Sequence, residues 1–127
     1  MPMTIESVTT AALSAALDAA SRRHGLVAAN IANANTQGYT PSRLSFSETL
    51  ADARATFAEK GWIAPAHVDA IGGAAQALVA PAAQDDKVQL DLEMADLAQN
   101  AVHFQALTQA LSRHLGMLAA AAADGRK

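Results

Sequence analysis

From Leu90 to Leu118 the larger side chains return at alternating steps of four and three: Leu90, Met94, Leu97, Ala101, Phe104, Thr108, Leu111, Leu115 and Leu118. Sustained over four heptads, this is the spacing of a coiled-coil seam rather than of an ordinary amphipathic helix. A stripe so narrow needs a partner of the same period. The chain supplies one near its other end, where Leu13, Leu17, Ala20, His24, Val27 and Ile31 repeat the same steps within a helical stretch from Thr4 to about Asn35. Two long helices with one seam each predict an all-α fold in which the N- and C-terminal helices pair as an antiparallel coiled-coil hairpin. That pairing places Arg22 and Arg23 near Asp96, and Glu6 near Arg113. Surface ion pairs contribute only about 0 to 1 kcal/mol each, so their use here is alignment.

The middle of the chain is less regular. Pro41 pushes Thr40 toward extended geometry and closes a turn over residues 36–43. Phe46, Leu50, Ala53 and Phe57 then predict a short amphipathic helix ending near Gly61. No period holds over residues 61–85, where Trp62, Pro65, Gly72, Gly73 and Pro81 fall among alanines; that stretch reads as an irregular loop. Val88, Leu90 and Leu92 alternate briefly as a strand would, and the second long helix is expected to start between Asp86 and Asp91, either of which caps well. Asp91, Glu93 and Asp96 near its start, with Arg113, His114, Arg126 and Lys127 near or beyond its end, complement the helix dipole. Gly25 interrupts the first helix and predicts a bend or a close contact. The chain thus divides into an N-terminal helix with its turn (1–40), a middle segment with a short helix and a loop (41–86), and a C-terminal helix (87–127).

Alanine limits what this hairpin can bury. It accounts for 33 of the 127 residues, so the 51% hydrophobic content overstates the apolar area. At roughly 25 cal/mol per Å² buried, an alanine-rich pair of helices gains little alone, and a marginal monomer completed by neighbours is expected. The net charge of −3 and a pI near 5.7 argue against nucleic acid as a partner. Cysteine is absent, which excludes disulfides and thiolate metal sites. The first residues, MPMTIESVTT, lack the basic region and apolar core of a cleavable signal, and no apolar run is long enough to span a membrane.

Catalytic chemistry finds no foothold. His67 and Asp69 form an H-x-D pair without a third ligand at sensible spacing. His24 falls on the first seam, where partial burial with a hydrogen bond is the expectation. His103 and His114, about three turns apart, share a face and suit a subunit contact. No G-x-S-x-G, P-loop, dinucleotide fingerprint or catalytic carboxylate pair is present. Met94 and Met117 are core side chains in this reading rather than ligands. The expectation is a protein without catalytic residues, metal, cofactor or small-molecule substrate.

Residues 28–39, AANIANANTQGY, carry most of the functional information. Asn30 and Asn33 present amides on neighbouring parts of one helical face, and the surrounding alanines let another backbone approach. Gly38 suits the left-handed conformation that ends a helix, and Tyr39 adds a ring with one polar tip. Such a surface fits helix contacts better than catalysis. ANIANANTQGY resembles the N-terminal signature of the bacterial flagellar rod and hook family, written ANxANxxTxGY. VQLDLEMADLAQNAVHFQALTQAL resembles the C-terminal helix of a proximal rod protein of that family. Gln37 stands where many relatives have proline, and Phe104 where tyrosine is usual. The two matches cover about half the chain.

The resemblance implies a structural subunit of the basal-body rod, lying in the periplasm and exported without a cleavable signal. It assigns subunit-interaction or turn roles to Asn30, Ile31, Asn33, Thr36, Gly38 and Tyr39. Leu13, Leu17, Val27, Leu97, Phe104, Leu111 and Leu118 become the axial seam. Phe46 and Leu50 fit an export-gate recognition motif, though any amphipathic helix shows the same pair. The implied partners are other rod subunits, the rod-base adaptor with its membrane ring, and the type III export gate. Two alternatives stay open: a neighbouring proximal rod protein, and a soluble helical adaptor or export chaperone.

Overall fold

The computed structural model describes residues 5–44, 55, 58–60, 79–81 and 87–125. Two long helices dominate: α1, Ile5–Ala32, and α2, Leu90–Asp124. Between them lie two three-residue strands, β1 at Ser42–Leu44 and β2 at Val79–Pro81. The helices pack against each other along their length as an all-α hairpin. Within the expected middle helix, Ala55 and residues 58–60 are helical. Phe46 and Leu50 lie outside the described residues, as do His67 and Asp69.

The antiparallel register follows from polar contacts. The His114 Nε2 sits 3.3 Å from the Glu6 carbonyl, and the Asn100 amide donates to the Ala20 carbonyl at 2.8 Å. Arg23 pairs with Asp96 at 3.1 Å, as its expected place beside that residue requires. Glu6 lies one residue from its expected neighbour Arg113, and the contact runs through its backbone.

What the helices bury agrees with the expected α1 seam at Ala20 and Val27 and differs from the expected seam on α2. The buried apolar residues are Ala15, Ala19, Ala20 and Val27, and beside them lie three buried polar residues, Asn30, Glu93 and Asn100. On α2 the line facing α1 is Glu93, Asn100, Leu107 and His114, one residue before the expected row of Met94, Ala101, Thr108 and Leu115. Small side chains on α1 bring the two backbones close, and Glu93 and Asn100 then reach α1 with hydrogen bonds that no apolar neighbour could replace. Met94 and Leu115 are left exposed, as are Leu90 and Phe104. His24, expected on the seam, is exposed too.

Helix α1 ends three residues earlier than its sequence pattern suggests. After the Asn33 N–H bonds to the Ala29 carbonyl, three tight turns follow: Ala34 to Ile31, Thr36 to Asn33, and Tyr39 to Thr36. Gly38, at φ +76, lies in the last of these rather than at a helix end. Pro41 is buried and passes the chain into β1. The β1–β2 ribbon, which pairs Ser42 with Pro81 and Leu44 with Val79, lies partly in the stretch read as irregular. Strands of three residues give no detectable period, and Pro81 tolerates only an edge position. The ribbon brings the two ends of the middle segment together.

Helix α2 starts at Leu90, within the expected bounds, from an extended Gln89 with no side-chain cap, so Asp91 does not fill that role, and Asp86 lies outside the described residues. Its last turn carries no basic residue, because it stops at Asp124 before Arg126 and Lys127. Gly25 lies within the helical span of α1 and meets no neighbour: a Cβ there would find nothing within 4 Å.

These two glycines predict opposite outcomes. Gly38→Ala forces a side chain into the left-handed region with no clash to confuse the reading, and is expected to cost about 1 to 2 kcal/mol. Gly25→Ala, in open space on a helix, is expected to gain about 0.5 to 1 kcal/mol. Urea denaturation followed by circular dichroism reads both signs.

Candidate functional site

The turn after α1 closes on one side chain. Asn30 is 1% exposed, and every hydrogen-bonding position of its amide is used within the chain. Its Oδ1 accepts from the Ser42 N–H and from the Tyr39 hydroxyl, both at 3.0 Å. Its Nδ2 donates to the Ser42 carbonyl at 3.0 Å and to Glu93 Oε2 at 3.2 Å. An amide offers two donor hydrogens and one oxygen with two lone pairs, so this set saturates it. Asn30 therefore joins three elements at once: the end of α1, the first residue of β1, and the first turns of α2.

Glu93 completes the junction from the other helix. It too is 1% exposed, and its Oε1 accepts from Arg43 of β1 at 2.9 Å. Arg43 reaches Asp96 at 3.9 Å, and Arg23 of α1 holds the other Asp96 oxygen at 3.1 Å. Two arginines and two acids thus alternate across α1, β1 and α2. A buried carboxylate is stabilised only when paired and hydrogen-bonded, and Glu93 has both kinds of partner. Arg43 is half exposed, so the charged network reaches solvent on one side.

Asn33 acts locally. Its Nδ2 donates to the Ala29 carbonyl at 2.9 Å, and its Oδ1 accepts from the Thr36 hydroxyl at 3.2 Å. It closes the helix end and steadies the turn, while Ile31 and Tyr39 are half-buried and Thr36 and Gly38 exposed. Among the expected seam residues, Val27 is buried, Leu13, Leu17, Leu97, Leu111 and Leu118 are half-buried, and Phe104 is 41% exposed. The residues to which sequence reading gave no part in the site are Ser42, Arg43, Glu93 and Asn100. A signal existed for two of them: Glu93 and Asn100 are seven apart, and Leu107 and His114 continue that spacing.

The polar groups of this junction are partnered with one another within the chain. Each polar group meets a partner that fixes backbone geometry. Among the described residues no three histidine or acidic side chains are grouped to hold a metal ion, and no helix is long and apolar enough to cross a membrane. The arrangement does one thing chemically: it locks the angle between two long helices and the ribbon that follows the first.

No curated protein matches the chain, and no solved structure does. A family model does match, described as flagella basal body rod protein, over residues 11–40. Those residues comprise most of α1 and the turn through Tyr39 to Thr40, and over that segment, 30 of the chain's 127 residues, the chain is similar to the flagellar basal-body rod protein family.

Proposed function

We propose that this chain is a structural subunit of the proximal rod, most like FlgB, that assembles with other rod proteins into the axial drive shaft needed for motility. The observation that supports this most is the family match over residues 11–40, whose distal part forms the junction centred on Asn30. VQLDLEMADLAQN favours FlgB over its neighbour FlgC, and it contains Glu93, Asp96 and Asn100, the α2 half of the same junction. The helices then serve as stiff rods with a fixed corner. Their large exposed side chains remain available to other subunits, as assembly requires. Export through the type III gate without a cleavable signal, a periplasmic position, and contacts to the rod-base adaptor and membrane ring belong to the same reading. It makes the protein structural rather than enzymatic.

Electron microscopy of basal bodies from a strain lacking this chain tests it, alongside a swimming assay. Membrane rings without a rod, in cells that do not swim, are the expected result. FlgB and FlgC are then separated by position in the rod. Complete rods and hooks in that strain would overturn the assignment and leave the helical adaptor or export chaperone as the reading to pursue.

A further inference from the structure

Helix α2 carries two possible seams for α1, and they share one row. Leu97, Leu111 and Leu118 are half-buried along that row, and Phe104 falls among them at the same spacing of seven residues. On one flank of it lie Glu93, Asn100, Leu107 and His114, and on the other Met94, Ala101, Thr108 and Leu115. Either flank, taken with the shared row, gives the alternating steps of four and three that a seam requires. The centres of the two seams differ by about 50° around the helix axis, because successive residues are about 100° apart. Apolar size favours the second, which has Met94, Ala101 and Leu115 where the first has Glu93, Asn100 and His114. The hairpin nevertheless uses the first: Glu93 and Asn100 are buried, Leu107 and His114 half-buried, and the other flank lies outside the contact with α1.

We propose that Glu93 and Asn100 select between these seams, holding α2 in one rotational setting against α1, and that without them α2 turns to bring Met94 and Ala101 onto α1. Each residue has partners that it meets only in the observed setting. Asn100 donates to the Ala20 carbonyl at 2.8 Å. Glu93 Oε2 accepts from the Asn30 amide at 3.2 Å, and its Oε1 accepts from Arg43 at 2.9 Å. A rotation of about 50° would carry a side-chain tip roughly 5 Å sideways, beyond the reach of these bonds.

The cost of turning falls on α1 as well. Asn30 is 1% exposed, and its amide would be left short of one acceptor in a site where water does not replace it. A buried polar residue fixes register in coiled coils at some expense of stability, and the same chemistry here fixes rotation. The junction and the seam therefore support each other. Only in this setting does Glu93 reach Asn30, and only with Glu93 and Asn100 in place does the less apolar seam prevail. This selection holds whether or not the chain belongs to a rod.

The experiment uses the full chain, in which introduced cysteine pairs are unique because the natural sequence has none. The Asn100–Ala20 and His114–Glu6 contacts both place position 13 opposite position 107. Leu13→Cys/Leu107→Cys is expected to oxidise within one chain at least about tenfold faster than Leu13→Cys/Thr108→Cys, since a disulfide needs Cα atoms within about 7 Å. In a Glu93→Met/Asn100→Leu background the preference is expected to reverse, with the pair at 108 the faster. Adding Ala101→Lys to that background, which bars the rival flank from α1, is expected to restore the preference for 107. Circular dichroism checks that the helices persist in each variant. A double substitution that keeps its helices and still prefers 107 overturns the proposal, as does a reversal that Ala101→Lys fails to undo. Loss of the helices in the double substitution overturns it too, because these residues would then hold the hairpin together rather than choose its setting.

Discussion

Arg43→Ala is expected to destabilise the chain by about 3 kcal/mol, a large effect for a residue that is half exposed. The cost arises at Glu93. Its side chain has no exposure to solvent, and once the guanidinium is gone it retains only the bond from Asn30. Removing one partner of a buried ion pair typically costs 3 to 5 kcal/mol, because a charge is left without compensation. The lower end applies here, since the space vacated by Arg43 opens toward water. An ordinary surface pair would lose about 1 kcal/mol or less. Urea denaturation of the two single variants and of Arg43→Ala/Glu93→Gln separates the cases. If the buried charge is the cause, neutralising it in the arginine-free background recovers about 1 to 2 kcal/mol, whereas Glu93→Gln alone destabilises. A change in Arg43→Ala within about 0.5 kcal/mol of zero would mean that the pair is no more than a surface contact.

The hairpin was legible in the sequence because its signal is long. Rows at alternating steps of four and three over 28 residues exclude a strand, and the charges at 22–23 and 96 fix the register to within a residue. On α1 the inward side was legible, since Ala20 and Val27 of the expected row are buried, whereas on α2 the buried row lies one residue away from the expected one, for a physical reason. Periodicity weighs apolar size, whereas the α1–α2 contact is set by close approach and directed hydrogen bonds. Alanines at 15, 19 and 20 let Asn100 reach a backbone carbonyl, and the large side chains then occupy the flank. His24 moved with them to the surface.

The junction was half legible. Asn30, Gly38 and Tyr39 stood out by type and spacing, and Gly38 does adopt positive φ. The amide partners of Asn30 could not be assigned, because Ser42 and Glu93 lie 12 and 63 residues away in sequence. The ribbon of two three-residue strands is determined by that tertiary contact and not by local propensity. A Glu at position 93 reads from sequence as a first-turn acid complementing a dipole; only the arrival of Arg43 and Asn30 makes it the centre of a buried network.

Asn30→Asp tests that network with the smallest change of shape. The Oδ1 that accepts from Ser42 and Tyr39 is retained. The donor facing the Ser42 carbonyl and Glu93 Oε2 becomes a second acceptor, so three oxygens crowd where one N–H group had satisfied two of them. At neutral pH the expected loss is about 3 kcal/mol or more, from two broken hydrogen bonds and a carboxylate placed against another in a buried site. The pH dependence gives the sharper result. An introduced aspartate in this position folds more readily protonated, so its folded-state pKa lies above its unfolded value near 4. The stability it retains is then fully present below the unfolded pKa and is lost as pH rises through the folded pKa. The gap between this variant and the natural chain should therefore narrow as pH is lowered from 7 toward 4, measured by urea denaturation at each pH. Asn30→Ala, which adds no charge, should show a loss that does not narrow with the same slope. A gap for Asn30→Asp that stays constant across this range would mean that its carboxylate is hydrated, and that the junction opens rather than holding two buried acids together.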